Sequence, residues 1–379
     1  MSDRRARTSG RSAAFLIAAL LFTALPGASV SRADEPPAAP LLRIDPVDHT
    51  GMIRRIAVDA GDRWLVTASD DKTARVWDLA SGRLLTTLRP PVDIGNDGKL
   101  NAVAMTPDGS TVAVGGWTGY AWDKQMSIYL FDRASGRLLR RIAGVVDVLN
   151  HLAFTPDGRL LVASLHSKGI RLYDAADGRQ LAEDTDYAGG SYSAHASPDG
   201  RRLVTTCEDN QLRLYNIEGG RLVLLAKAAP PGGRDPVAAR FSPDGKRIVV
   251  GFYDTPNVNV VDATSLRTLF SPDTSGLTGS FGSVAWSRDG TRLMAAGTVT
   301  DKDDLRYIRR WPVRGNEAGR ASDFPVARDV VTDLVPLAGG SVAYASGEPT
   351  WGVLGADGQR PLVHGSPEAD YRNLLAGFT

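Results

Sequence analysis

The stretch SDDKTARVWDLASGRLLTTL, residues 69–88, decides the fold. Two acids precede an alternating segment, ARVW, which ends in a Trp-Asp pair and is followed by the turn sequence ASG and a second apolar segment. Alternating apolar segments separated by turns rich in Gly, Asp and Ser are typical of antiparallel strands. The stretch therefore predicts part of a small antiparallel sheet, and the rest of the chain shows whether that sheet is repeated.

A Pro-Asp-Gly type of turn recurs along the chain at intervals of 42–50 residues. Five copies and two degenerate ones are present, and they end at Arg63, Ser110, Arg159, Arg201, Lys246, Thr291 and Ser341. A short apolar strand precedes each turn, a second follows it, and two more complete the unit. Four short strands at this period are typical of a β-propeller blade. The sequence therefore predicts an all-β fold, a seven-bladed β-propeller of four-stranded antiparallel blades over residues 41–365.

These repeats resemble the WD40-repeat family, and in particular exported WD-repeat proteins of bacteria. The resemblance implies that His49, Ser69, Asp71 and Trp77 form the structural tetrad of that family, in which hydrogen bonds link the His, the hydroxyl and the indole around the acid. Other residues replace the indole in later repeats: Phe131, Tyr173, Tyr215 and Val261. Those blades are expected to be held mainly by apolar packing between sheets.

The two ends of the chain differ from the repeats. A basic segment, an apolar run over residues 12–25 and small residues near Ala33 predict a signal peptide over 1–33, followed by a flexible leader over 34–40. We therefore expect an exported protein, periplasmic or secreted, without stable membrane insertion after cleavage. Residues 366–379 are interpreted as a C-terminal tail or as the truncated start of a further repeat.

Composition excludes some classes of function. The net charge is +1, with acids and bases interspersed, which disfavours nucleic-acid binding. The single cysteine, Cys207, cannot form an internal disulfide and is expected to be a buried, inert thiol. The five histidines are scattered, and neither a phosphate loop nor a nucleophile elbow is present, so neither a cofactor nor a metal site is predicted.

Longer connections concentrate on one side of the predicted disc. The connections between second and third strands and between successive blades share one face, and most insertions fall there. The connection GWTGYAWDKQM, residues 116–126, is rich in aromatic residues. Large aromatic side chains in loops are typical binding anchors, although they also pad neighbouring blades. The predicted partner-binding residues are Trp117, Tyr120, Trp122, Asp123 and Trp351.

Two polar residues interrupt a column of alanines in the innermost strands. The column holds alanine in four repeats, but His195 and Arg240 occupy the same position in repeats four and five. Beside the central channel they could bind an anion, act as a catalytic pair, or form a polar contact between blades in which Arg240 keeps the pKa of His195 low.

These features favour a non-catalytic scaffold that binds a protein or peptide on the loop-rich face. Two alternatives remain at this stage. One is a propeller enzyme, a hydrolase or lyase, with its site at the central channel. The other is the regulatory propeller of a larger multidomain chain.

Overall fold

The computed structural model describes residues 46–365, which form seven antiparallel sheets arranged as the blades of a β-propeller. The predicted fold is confirmed. The predicted signal peptide (1–33), leader (34–40) and tail (366–379) lie outside the described residues.

The first four blades each use four consecutive strands, named a to d from the channel outward. Blade 1 contains β1 (Ile53–Val58), β2 (Trp64–Ser69), β3 (Ala74–Asp78) and β4 (Leu84–Leu88). Blade 2 contains β5 (Leu100–Met105), β6 (Thr111–Gly116), β7 (Met126–Asp132) and β8 (Leu138–Val145), with a helical turn α1 (Tyr120–Asp123) between β6 and β7. Blade 3 contains β9 (Leu149–Phe154), β10 (Leu160–Leu165), β11 (Ile170–Asp174) and β12 (Gln180–Asp184). Blade 4 contains β13 (Ser191–Ala196), β14 (Arg202–Cys207), β15 (Gln211–Glu218) and β16 (Arg221–Ala228).

The last three blades follow the same order with small additions. Blade 5 contains β17 (Pro236–Phe241), β18 (Arg247–Phe252), β19 (Val258–Asp262) and β20 (Thr268–Phe270). Blade 6 contains β21 (Ser283–Trp286), β22 (Arg292–Ala296), β23 (Arg306–Arg314) and β25 (Ser322–Ala327), and the short β24 (Glu317–Ala318) also pairs with β23. Blade 7 contains β26 (Val331–Pro336), β27 (Val342–Ser346), β28 (Trp351–Leu354) and β29 (Leu362–His364), with a 3₁₀ turn at Ala338–Gly340.

The recurring Pro-Asp-Gly turn joins strands a and b. In blade 2 the Asp108 carboxylate accepts hydrogen bonds from the Thr106 hydroxyl at 2.6 Å and from the Ser110 N–H at 3.0 Å. Gly109 adopts a φ of 70°, a left-handed conformation that residues with a Cβ rarely take. The Asp and the Gly are therefore both needed to make the turn, which is why they recur together.

The acid of the Trp-Asp pair has a similar local role between strands c and d. Asp78 accepts a hydrogen bond from the Ser81 N–H at 2.8 Å, and Gly82 follows with a φ of 71°. Asp132 and Asp262 form the same bond with a serine three residues later. The Asp recurs because it forms this turn, independently of the residue that precedes it.

Within the described residues, seven apolar clusters fill the spaces between blades, and each joins one blade to the next. The strand that completes blade 7 is Leu362–His364, so this blade, like the others, is built from strands consecutive in sequence. Within residues 46–365, blade 1 therefore meets blade 7 through side-chain packing and side-chain hydrogen bonds.

A second tryptophan occupies the register of Trp77. Trp77 lies opposite Leu65, and Trp311 of blade 6 lies opposite Leu293 at the corresponding position. Pro312 follows Trp311 where Asp78 follows Trp77, so the Trp-Asp pattern does not identify Trp311 as the counterpart of Trp77.

Candidate functional site

Three of the four residues predicted as a tetrad lie in one buried network in blade 1. The Thr67 hydroxyl lies 2.6 Å from His49 Nε2 and accepts a hydrogen bond from Trp77 Nε1 at 3.0 Å. His49 Nδ1 lies 2.7 Å from a carboxylate oxygen of Asp71. With the ring proton placed on Nδ1, the indole donates to the hydroxyl, the hydroxyl donates to the imidazole, and the imidazole donates to the carboxylate. These hydrogen bonds connect the segment that precedes β1 to strands β2 and β3.

The assignment of Ser69 to this network is corrected to Thr67. The Ser69 hydroxyl donates to the Gly51 carbonyl at 2.8 Å and accepts from the Asp71 N–H at 3.1 Å, so it holds the turn after β2. The two hydroxyls are two residues apart and share one face of the strand. Only the one closer to Trp77 in the ladder reaches both the indole and the imidazole.

Asp71 is ionised because its neighbours lower its pKa more than burial raises it. Burial alone would raise the pKa of Asp71, but the adjacent His49, the Thr73 hydroxyl and the Arg75 guanidinium hold it below its ordinary value. The Thr73 hydroxyl donates to Asp71 at 2.6 Å, and Arg75 Nη2 lies 3.7 Å away. The carboxylate thus has a stabilising partner on each side.

Blade 4 contains a second version of the network. Thr205 lies opposite Arg213, as Thr67 lies opposite Arg75. The Thr205 hydroxyl lies 2.7 Å from the Tyr187 hydroxyl, which lies 3.0 Å from the Tyr215 hydroxyl. Tyr187 therefore replaces the histidine and Tyr215 the indole. Tyr187 was not predicted from the sequence, because a tyrosine does not match the histidine of the motif.

Trp351, predicted to bind a partner, lies in the apolar seam between blades 7 and 1. It is 1% exposed, its ring centroid lies 5.2 Å from that of Trp77, and it stacks on His364 at 4.9 Å. These three rings pack against one another at the junction between the first and last blades. The position is at the start of a strand, as predicted, but the side chain is unavailable to a partner.

The aromatic connection of blade 2 divides into buried and exposed residues. Trp122 is 4% exposed and lies beneath the helical turn, whereas Trp117 and Tyr120 are 37% and 53% exposed. The half-buried Asp123 forms an ion pair with Arg141. The prediction of Trp122 as a binding anchor is wrong in this structure, because its ring packs inward.

A cavity of about 330 Å³ lies at the mouth of the central channel, on the face of the b–c and d–a connections. Six innermost strands have a β-bulge near their first residue, where pairing to strand b skips one position. A bulge redirects a side chain, and all six bulged residues line the mouth: Arg54, Asn101, Asn150, Tyr192, Val237 and Thr332. The repeated bulge is the feature that builds this cavity.

Aromatic side chains from three blades border the mouth. Trp117 and Tyr253 are exposed there, and the Tyr192 and Tyr253 rings lie 6.2 Å apart. Tyr192 donates to Glu208, and burial together with that acid raises the pKa of Tyr192. Arg54 forms two hydrogen bonds with Asp70, at 3.0 and 2.8 Å. The rim of the mouth is thus aromatic, and the charged side chains beside it, Arg54 and Glu208, have partners within the protein.

Tyr192 and Tyr253 were missed by the sequence analysis. Tyr192 lies in an innermost strand, and Tyr253 directly follows β18. Neither lies in one of the long insertions that drew attention. Aligning the residue after the first position of each innermost strand would have found Tyr192.

A second cavity, of about 780 Å³, lies on the opposite face, among the a–b and c–d turns of blades 2, 3 and 4. It is lined largely by turn residues such as Asp157, Gly158 and Arg179. These connections are short and repeat one design, so this face lacks the long insertions of the opposite face.

The predicted channel pair lies in the ring of innermost strands. His195 accepts a hydrogen bond from the Phe241 N–H through Nδ1 at 3.2 Å. Burial, followed by the charge of Arg240, lowers the pKa of His195 to about 3. Arg240 lies 3.9 Å from a carboxylate oxygen of Asp333 in blade 7. His195 is therefore neutral at physiological pH, whereas Arg240 is charged.

The family model described as "WD domain, G-beta repeat" matches residues 43–78 and 187–216. The two segments contain the hydrogen-bonded networks of blades 1 and 4. Segments in blades 1 and 4 of this β-propeller are thus similar to WD40 repeats. The remaining blades retain the strand pattern and the Asp turns without the full network.

Curated relatives match parts of the chain. The small ribosomal subunit protein RACK1 of Caenorhabditis elegans is 33% identical over 121 residues, which is 31% of this chain and 33% of that protein. The RACK1y protein of Oryza sativa subsp. japonica is 32% identical over 119 residues, 31% of each chain. The pleiotropic regulator 1 of Bos taurus is 52% identical over 40 residues, 11% of this chain and 8% of that protein. The matches to the two RACK1 proteins thus span about a third of their length.

Other chemistry was sought among residues 46–365. No group of three or more His, Cys, Asp or Glu side chains in this range is placed to bind a metal ion. No helix in the same range is long and apolar enough to cross a membrane. Burial raises the pKa of Cys207 to about 11, so its thiol stays protonated at neutral pH.

Proposed function

We propose that this WD40 propeller is a non-catalytic scaffold that holds a protein or peptide partner at the mouth of its channel. The fold and the WD-repeat relatives support a role in protein interaction. The observation that supports this particular site is the exposed aromatic pair, Trp117 and Tyr253, beside the mouth cavity. Exposed aromatics next to a concave surface bury much apolar area at a small entropic cost.

The small volume of the mouth cavity favours insertion of a single partner side chain over a broad, flat interface. Its volume of about 330 Å³ is at the small end for ligand sites, which run from roughly 300 to 1,000 Å³. The bulged residues add amide, hydroxyl and phenol groups that can hydrogen-bond to a peptide backbone. An apolar or aromatic side chain of the partner would enter the cavity, while its backbone contacts the rim.

The charged side chains at the rim contribute little to this mode of binding. Arg54 is paired with Asp70, Tyr192 with Glu208, and the net charge of the chain is +1. Attraction based on paired charges is weak and falls further with salt. Affinity for the partner is therefore expected to change little between low and physiological salt.

Paired variants test the site by quantitative co-purification from the native envelope fraction. Trp117→Ala with Tyr253→Ala should abolish retention of the partner. Leu138→Ala with Leu225→Ala, which removes side chains 43% and 47% exposed on outer strands, should leave it unchanged. Equal retention by both double variants, with both folded, would refute the mouth as the binding site.

Export is part of the same proposal. The basic residues, the apolar run over 12–25 and the small residues before Asp34 support cleavage by a signal peptidase. Edman sequencing of the mature protein should begin at Asp34. A mature chain that retains Met1 in the cytoplasmic fraction would contradict export.

A further inference from the structure

Two rings of side chains line the middle of the channel. Ala57, His195 and Arg240 lie at one register of the innermost strands, and Arg55, His151 and Asp333 lie two residues earlier. Apart from Val335, every other position in the two rings is Ala or Ser. Five large polar groups therefore face one another across a channel otherwise lined by small side chains.

The two arginines meet across the axis. Arg55 of blade 1 and Arg240 of blade 5 each place one guanidinium nitrogen 3.9 Å from the same oxygen of Asp333 in blade 7. Blade 5 is not adjacent to blade 7, so Arg240 must extend past blade 6 on the channel side. The guanidinium groups thus gather at one place in the channel.

Asp333 cannot neutralise both arginines. Its oxygens accept hydrogen bonds from the Ile56 N–H at 3.1 Å and from the Leu334 N–H at 3.0 Å. A separation of 3.9 Å is too long for the bidentate pairing that guanidinium groups form with carboxylates. Two positive groups and one negative group leave one excess positive charge in a site where the arginines are 14% and 16% exposed.

The histidines do not add charge, but they offer hydrogen-bonding groups. His195 Nδ1 accepts from the Phe241 N–H, so the ring proton of the neutral form is on Nε2, where it is available to an acceptor. His151 is 8% exposed, and its buried Nδ1 lacks a hydrogen-bond partner within the described residues. Buried polar atoms normally have a hydrogen-bond partner, so this nitrogen is available to bond with a ligand.

The site is connected to the mouth cavity. Arg55 and Thr332 line that cavity, and Arg55 also donates to the Thr332 carbonyl at 3.2 Å. An ion entering at the mouth therefore reaches the Arg55 guanidinium before that of Arg240, which does not line the cavity.

We propose that the centre of the channel binds a small oxyanion of the phosphate or carboxylate class between Arg55 and Arg240, with His195 and His151 as further hydrogen-bonding groups. The ligand neutralises the excess charge, and the planar guanidinium groups match its oxygens. Asp333 limits the affinity, because it lies beside the bound anion and repels it. The anion site lies further along the channel than the mouth proposed to bind a peptide. The anion proposal does not depend on the proposed scaffold function.

Isothermal titration calorimetry of the full chain with sodium phosphate, and separately with sodium acetate, tests the proposal in a buffer free of other oxyanions. The wild-type protein should bind at least one of the two anions with a stoichiometry of one. Arg55→Gln and Arg240→Gln should each weaken binding at least tenfold. Arg309→Gln, which removes a guanidinium paired with Asp323 on the outer strands of blade 6, should change affinity less than twofold.

Asp333→Asn keeps the proposal testable if an arginine variant fails to fold. It removes the repelling charge, so it should tighten binding at least threefold, the opposite direction from the arginine variants. Absence of binding to wild type by both anions at millimolar concentration would overturn the proposal. Binding that is unchanged in the Arg55, Arg240 and Asp333 variants would also overturn it, since the ion would then lie elsewhere.

Discussion

Thr67→Val is the most informative perturbation of the blade 1 network. Valine keeps the branched shape of threonine but removes the hydroxyl that the Trp77 indole donates to and that lies 2.6 Å from His49 Nε2. Both groups are buried, so water cannot readily replace the lost partner. Leaving a buried polar group unpaired costs about 1–3 kcal/mol. With two such groups, we expect the free energy of unfolding to fall by about 3 kcal/mol.

Thr205→Val is the matched control at the same register of blade 4. There the Tyr187 hydroxyl keeps a partner in Tyr215 at 3.0 Å, and Tyr215 keeps Asp184 at 2.8 Å. Loss of the hydroxyl removes one hydrogen bond without leaving either phenol unpaired, which costs about 1 kcal/mol. Thr67→Val should therefore be about 2 kcal/mol more destabilising than Thr205→Val.

Urea titrations followed by tryptophan fluorescence and far-UV circular dichroism measure the difference. Ser69→Ala is the second comparison, because its bonds to Gly51 and Asp71 are only partly buried, and it should cost about 1 kcal/mol. The reasoning is refuted if Ser69→Ala destabilises the protein as much as Thr67→Val does. It is refuted as well if the two threonine variants are equal.

Two further predictions concern burial and protonation. Trp122→Ala should lower the free energy of unfolding by about 3–5 kcal/mol, whereas Tyr120→Ala, which truncates a side chain 53% exposed, should stay within about 0.5 kcal/mol in the same urea assay; similar losses would contradict the buried position of Trp122. Because burial and Arg240 lower the pKa of His195 from 6.5 to about 3, the unfolded chain binds more protons in that range, so stability falls as the pH drops below 6.5. His195→Gln should make the decline between pH 6 and pH 4 shallower by up to about 1.4 kcal/mol per pH unit, and an unchanged slope would show that His195 titrates normally.

The blade count was predictable because its determinants are local. The Asp108 and Asp78 types of turn use a carboxylate and a left-handed Gly within four residues, so each copy is visible in the sequence. Trp311 shows the limit of motif matching. Its register equals that of Trp77, but because Pro312 follows it, the Trp-Asp pattern does not show that the two tryptophans are equivalent.

The tetrad was predictable in part. His49, Asp71 and Trp77 were identified, but the choice between Thr67 and Ser69 was not available from the pattern. Both hydroxyls are on the same face of β2, and the strand pairing decides which one lies between the indole and the imidazole. Such a distinction depends on tertiary distances of a few ångströms.

The binding residues were harder to predict because loop aromatics have two fates. Trp117 stays at the surface, whereas Trp122, five residues later, folds beneath the same connection. Tyr192 reaches the mouth because of a β-bulge between Ser191 and Ser193. A bulge changes the alternation of side chains, so a simple period of two misplaces every residue before it.

The polar side chains at the centre of the channel were also predicted only in part. His195 and Arg240 were found because they interrupt a column of alanines after the bulge. Arg55, His151 and Asp333 form a second column two residues earlier, next to the bulge, where the sequence alignment was not extended. Comparing both columns in all seven repeats would have identified the full set.

Site-specific photocrosslinking in the native host tests the central claim most directly. A benzophenone amino acid replaces Tyr253 at the mouth in one strain and Arg179 on the opposite face in another. Irradiation should link one partner protein to the chain through position 253, and position 179 should yield no such product. Crosslinking of the partner through position 179, with none through 253, would show that the partner binds the opposite face.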